Sequence, residues 1–156
     1  MEKIKSFTVD HNILEPGIYE SRRDQVGSQE VITYDLRVTK PNTEPVMGTG
    51  EVHTIEHLAA TYLRNHETLK DKIIYFGPMG CRTGFYLITN GELDHQTLFD
   101  LIKECFEFIS TFDDEIPGAS AKDCGNYHDN NLPSARFYAL KYLKHLSKLK
   151  DLTFTY

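Results

Sequence analysis

Along QEVITYDLRVTK (29–40), Ile32, Tyr34, Leu36 and Val38 alternate with Val31, Thr33, Asp35, Arg37 and Thr39, the period of a half-buried strand. Arg37 therefore points away from the main apolar face. The prolines and glycines of PNTEPVMGTG (41–50) predict a loop, and Thr49 stands where it can cap the helix that follows. Val52, Ile55, Ala59, Tyr62 and Leu63 give that helix an apolar stripe. DKIIYF (71–76) and GFYLIT (84–89) read as strands. Between them, GPMGCRT places Gly77, Pro78 and Gly80 in a tight connection that carries Cys81. In LDHQTLFDLIKECFEFIST (93–111), Leu98, Leu101, Ile102, Cys105 and Ile109 share one face of a second helix, with Asp94 as its cap. IPGASAKDCGNYHD (116–129) is loop-like, although Ser120 and Asp123 have capping-box spacing and could open a short helix at Cys124. A last helix runs from about Pro133.

Strands and helices thus come in mixed order, and the short strand-to-strand connection leaves no room for the crossovers of a wholly parallel sheet. The expectation is an α+β fold, residues 1–156 as a single domain, with a largely antiparallel sheet and helices packed on one face.

The net charge of −6 argues against nucleic acid or an anionic membrane as partner, since either needs a clustered positive field. The basic run LKYLKHLSKLK (140–150) has leucines and a tyrosine at helical spacing, so it reads as a solvated helix face. The first residues lack the apolar core of a signal peptide, and no stretch approaches the ~20 apolar residues of a membrane span. A cytoplasmic location is expected. Three cysteines, Cys81, Cys105 and Cys124, are an odd number in a reducing compartment, so each thiol needs its own explanation. Cys105, on an apolar stripe, reads as a small core residue.

The most informative stretch is HTIEH, residues 53–57. Four helical residues advance ~400°, so His53 and His57 stand one turn and about 6 Å apart on nearly the same face, with Glu56 ~60° around the helix from His53. HxxEH is the inverted form of the zinc-protease motif HExxH. Two readings remain open for it: histidines decorating a helix, or a pair of metal ligands. Cys124 offers a third ligand that leaves a tetrahedral ion one open position, the arrangement of catalytic sites. His128, four residues on, is a rival that would close the shell. His66, His95 and His145 read as solvated helix residues.

SFTVDHN (6–12), YDLRVTKPN (34–42), HTIEHLAATYLRNH (53–66), GPMGCRTGFYL (77–87) and KDCGNYHD (122–129) together resemble the S-ribosylhomocysteine lyases of the LuxS type, in the expected order and across nearly the whole chain. The resemblance implies cleavage of S-ribosyl-L-homocysteine to homocysteine and 4,5-dihydroxy-2,3-pentanedione, precursor of the autoinducer-2 quorum signal and part of methyl-cycle recycling. It implies a homodimer with active sites at the subunit interface. By position it implies His53, His57 and Cys124 as metal ligands and Glu56 and Cys81 as the catalytic pair. The implied metal is iron(II), with zinc possible in purified protein. Ser6, His11 and Arg37 match positions associated with substrate, some supplied by the neighbouring subunit; read alone, Ser6 and His11 are equally N-terminal surface groups and Arg37 an exposed strand residue in an ion pair. Tyr75 and Arg82 depart from the family pattern, where an acidic residue and a glutamine are common.

The chemistry fits those groups. Expelling a thiolate from ribose C5 needs a carbanion at C4, which a carbonyl at C3 makes accessible; the carbonyl must first migrate from C1 through C2. Each shift removes one proton and delivers one. A divalent ion stabilises the charge that builds on the sugar oxygens, Glu56 cycles between acid and base, and Cys81, its thiolate favoured by the ion and by Arg82, transfers the other protons. Two rivals remain: an HxxEH metallopeptidase, which gives Cys81 no task, and a non-catalytic metal-stabilised module closed by His128.

Overall fold

β-Branched and aromatic residues in alternation make four strands among the described residues: β1 (Gly17–Val26), β2 (Gln29–Arg37), β3 (Ile73–Pro78) and β4 (Gly84–Asn90). This computed structural model describes residues 2, 4 and 7–156. The strands lie in the order β1-β2-β4-β3, and every neighbouring pair is antiparallel. Three helices complete the α+β architecture: α1 (Thr49–Arg64), α2 (His95–Thr111) and α3 (Leu132–Leu146).

The expected strand at 29–40 stops at Arg37 and gains a partner that the hydrophobic pattern did not predict. β1 carries Glu20, Arg22, Arg23 and Asp24 on an edge, where charge replaces apolar alternation. Arg23 bridges Glu20 at 2.9 Å and Glu30 and Glu92 at 3.1 Å, tying β1 to its neighbours through side chains that the periodicity cannot register.

The α1 cap also differs from expectation. Gly48, not Thr49, is the capping residue, because the Glu51 carboxylate accepts from the Gly48 N–H at 2.6 Å. Thr49 instead donates to Asp129 at 3.1 Å. Asp94 caps α2 as expected, accepting from the Thr97 N–H at 3.0 Å, and Asn131 caps α3.

The connection between β3 and β4 is tight, but for another reason than its glycines. Gly77 and Pro78 belong to β3, and the left-handed residue is Arg82, φ 58°. Arg82 N–H donates to Met79 O at 2.9 Å and Met79 N–H to Gly84 O at 3.0 Å, which closes the turn and presents Cys81 at its tip.

One sheet face, with Ile32, Leu36, Phe85 and Leu87, is fully buried against Ile55, Leu58 and Leu63 of α1 and Leu98, Ile102 and Phe106 of α2. Tyr142 of α3 is wholly buried and donates to Gly17 O at 2.7 Å, satisfying its hydroxyl as burial demands. The opposite face is not simply solvated: Asp35 is 1% and Arg37 3% exposed. Both belong to the strand positions assigned to the non-core side, so that side carries a buried site.

Gly84 packs where a Cβ would collide with Leu36 O and stand 3.1 Å from Arg37 Cα. Gly84→Ala is expected to destabilise the fold by about 1–3 kcal/mol through overpacking, read as a lower urea midpoint at unchanged m-value.

Candidate metal centre and the adjoining cavity

Helix α1 exists because Val52, Ile55, Leu58, Ala59 and Leu63 bury one stripe. That stripe fixes the half-buried positions of His53, Glu56 and His57. The two imidazoles meet: His57 Nε2 lies 2.9 Å from His53 Nε2. Cys124 Sγ lies 3.4 Å from His53 Nε2, and one ligand atom from each of the three falls within 4.8 Å of the others.

The outer nitrogens explain why. His53 Nδ1 is 2.8 Å from Asp129 O and His57 Nδ1 is 2.7 Å from Pro117 O. A carbonyl only accepts, so each Nδ1 carries the proton and each neutral ring turns an unprotonated Nε2 toward the other. Two lone pairs at 2.9 Å repel unless a cation or a proton lies between them. Carbonyls that orient ligating imidazoles from behind are the usual outer partners of metal-bound histidine. Two imidazoles and a thiol therefore fit a divalent ion of the iron or zinc type.

The loop that brings Pro117 and Cys124 to α1 is held locally. Gly118 has φ +73°, and a Cβ there would stand 3.3 Å from His57 Nδ1. Ser120 donates to Asp123 Oδ2 at 2.7 Å, and Cys124 N–H reaches Ser120 O at 2.9 Å. The capping spacing thus produces a turn, not the short helix it suggested, because Gly125 follows and no apolar face rewards continuation. His128 is exposed, stacks on Tyr127 with ring centroids 3.9 Å apart, and does not join the cluster. Glu56 is half-buried between the two histidines in sequence and has no hydrogen bond or ion pair among the described residues.

Cys81 belongs to a second grouping, a cavity of about 370 Å³ lined by His11, Asp35, Arg37, Cys81, Tyr86 and Tyr156, among others. Arg37 Nη2 donates to Asp35 Oδ2 at 2.5 Å and Arg37 Nη1 to Thr83 Oγ1 at 2.6 Å. The same Nη1 stands 3.8 Å from Cys81 Sγ, and Thr83 Oγ1 lies 3.1 Å from that sulfur. Burial raises the Cys81 thiol, but the Thr83 hydroxyl and N–H and then the Arg37 charge outweigh it and hold the thiol below its ordinary value. The assisting cation is Arg37; Arg82 is exposed and takes no part. Burial raises the Asp35 carboxyl, opposed by Arg37 and by the Tyr156 hydroxyl.

Arg37 is thus in an ion pair, as one reading had it, but buried. His11 is half-buried, its Nδ1 2.9 Å from Val9 O; Ser6 lies outside the described residues. Cys105 is fully buried in the core, its thiol pushed far up by burial. Asp35, Thr83 and Tyr156 went unrecognised in the sequence. Opposite charges two apart on one strand face were the signal for Asp35; Thr83 and Tyr156 gave none.

The profile of the S-ribosylhomocysteinase (LuxS) family matches residues 4–152. An S-ribosylhomocysteine lyase of Finegoldia magna is 59% identical over 150 residues, 96% of this chain and 95% of the relative. The S-ribosylhomocysteine lyase of Clostridium acetobutylicum is 54% identical over 151 residues, 97% and 96% of the two chains. That of Phocaeicola vulgatus is 51% identical, covering 95% and 94%.

Cys124→Ala is expected to weaken cobalt or zinc binding by more than the ~10–100-fold that outer partners alone are worth, with loss of the sulfur-to-cobalt charge-transfer band. Thr83→Val removes the first of the groups that lower the Cys81 thiol. Its alkylation midpoint should therefore move to higher pH, followed by peptide mapping of iodoacetamide adducts.

Proposed function

The chain belongs to the S-ribosylhomocysteinase (LuxS) family, and from that premise we propose that His53, His57 and Cys124 hold the metal of its active site, with Glu56 and Cys81 as its proton-transfer groups. It is a carbon–sulfur lyase that cleaves S-ribosylhomocysteine to homocysteine and 4,5-dihydroxy-2,3-pentanedione. The observation that carries the site assignment is the facing of two Nε2 atoms at 2.9 Å with Cys124 Sγ 3.4 Å from one of them.

A divalent ion there supplies Lewis acidity to the sugar oxygens. The reading takes it to be iron(II), with zinc as the metal of aerobically handled protein; both suit two imidazoles and a thiolate. The residues do the rest. Glu56, beside the ligands and unpaired, is placed to take a proton from one ribose carbon and return it to the next. Cys81, its thiol lowered by Thr83 and Arg37, serves as the second carrier without attacking carbon. After two carbonyl shifts, loss of the C4 proton expels homocysteine thiolate from C5, and the thiolate leaves as thiol on protonation. Arg37 and His11 line the cavity beneath Cys81 and would orient the substrate; Ser6 joins them in this proposal.

Residues 1–156 work as one lyase domain, and two such chains form the enzyme. None of the three ligands lines either cavity beside Cys81, while Phe7 and Ile13, flanking His11, are 69% and 74% exposed. A partner chain that covers those residues would bring its ligands to this chain's Cys81. No described helix is long and apolar enough to cross a membrane, and a reducing cytoplasm would keep Cys81 and Cys124 as thiols. Neither nucleic acid nor membrane is needed as a partner.

Iron-loaded protein incubated anaerobically with S-ribosylhomocysteine should release free thiol; Cys81→Ala and Glu56→Gln should each lose at least about 100-fold in turnover while retaining metal. Inactive Cys81→Ala and His57→Ala chains, mixed and reassociated, should regain about one quarter of normal activity if each site is shared across a two-fold axis. No recovery would mean that each chain builds its own complete site.

A further inference from the structure

Residues 147–156 follow α3 back across the sheet. Phe154 is 5% exposed and adopts φ 51°. Its carbonyl accepts from the Glu20 N–H of β1 at 2.8 Å, and its ring lies 5.1 Å from that of His95. Anchored there, the segment delivers Tyr156 to the cavity of Cys81. The Tyr156 ring stacks on Tyr19 at 5.0 Å and 8°. It leaves 47% of the residue exposed, yet its hydroxyl reaches Asp35 Oδ2 at 2.9 Å.

Asp35 is poorly supplied with partners for a group so buried. Among the described residues its Oδ1 has none, and neither has Arg37 Nε. Oδ2 alone receives both Arg37 and Tyr156. The other titratable groups that feel its charge are Tyr86 opposite on β4, Tyr19 opposite on β1, Tyr142 of α3, and His11. Burial and then the Asp35 charge keep the Tyr156 hydroxyl protonated, outweighing a hydrogen bond from Ser21, so it remains a donor to Asp35.

We propose that Tyr156 is a positioning residue of the lyase: by sharing Asp35, it leaves the Arg37 guanidinium free to lean on Cys81 and hold its thiolate. The inference rests on the active-site reading above for its link to turnover, but not for its link to Cys81. Without the phenol, the buried carboxylate has Arg37 as its one strong donor and draws the guanidinium toward itself. The contact that yields first is the longest, 3.8 Å from Arg37 Nη1 to Cys81 Sγ.

The test is Tyr156→Phe in the zinc- or iron-loaded protein, which keeps the stacked ring and removes one hydroxyl. Alkylation of Cys81 by iodoacetamide at pH 7, resolved by peptide mapping, should slow by about 3–10-fold as the thiol moves up toward its ordinary value. Turnover should fall in parallel with KM changed by less than about twofold, and the melting temperature should hold. A purely structural tyrosine would lower the melting temperature and leave the Cys81 pH profile in place; that result, or unchanged alkylation and turnover, overturns the proposal. If the unsubstituted protein released no thiol from S-ribosylhomocysteine while Tyr156→Phe still slowed alkylation, the lyase reading would fall and the role of Tyr156 would stand.

Discussion

The close approach of two imidazole nitrogens, His53 Nε2 and His57 Nε2 at 2.9 Å, organises the candidate metal centre of this molecule. Carbonyls of Pro117 and Asp129 pin the outer nitrogens of His57 and His53, so the inner nitrogens must face each other. Helix α1 cannot relieve them by rotating, since its opposite stripe is locked in the core. The loop cannot retreat without giving up the same hydrogen bonds. A cation or a proton between the two nitrogens removes any lone-pair conflict, and a cation present at about 100 times its dissociation constant would add about 2.7 kcal/mol to the folded state.

The second grouping obeys a related economy. Asp35 and Arg37 neutralise each other inside the protein, where either alone would be costly. Their geometry, not their net charge, acts on Cys81: Arg37 extends one nitrogen to Thr83 and the sulfur while the other holds Asp35. A thiol at a surface turn thereby gains a cation that the turn itself does not supply. Arg82, adjacent in sequence, spends its unusual backbone conformation on closing the turn and contributes nothing to the thiol.

Much of this was legible in the chain because helical spacing is rigid. HTIEH fixes two imidazoles one turn apart in any helix, and the apolar stripe of α1 says which way they face. Cys124 was identifiable through the family resemblance and its loop context, and the loop reading of 116–129 holds, the capping spacing of Ser120 and Asp123 closing a turn where a short helix was the alternative. What stayed hidden depends on partners distant in sequence. β1 was missed because an edge strand stabilised by Arg23 and three glutamates has no apolar rhythm. Arg37 was assigned the correct side of β2, but its burial and its partners Asp35 and Thr83 are features that periodicity in one strand cannot reveal. Thr83 looked like any turn residue until the Arg37 side chain was seen to reach it.

Gly118 sits on an exposed loop, where substitutions are ordinarily absorbed without notice. Here its left-handed backbone aims the preceding carbonyl at His57, and any side chain would press on that ring from 3.3 Å. Tolerance along this loop is therefore uneven in physical terms: Glu115 and Ala121 are exposed, while solvent-facing Gly118 carries both a left-handed backbone and a ring at its back.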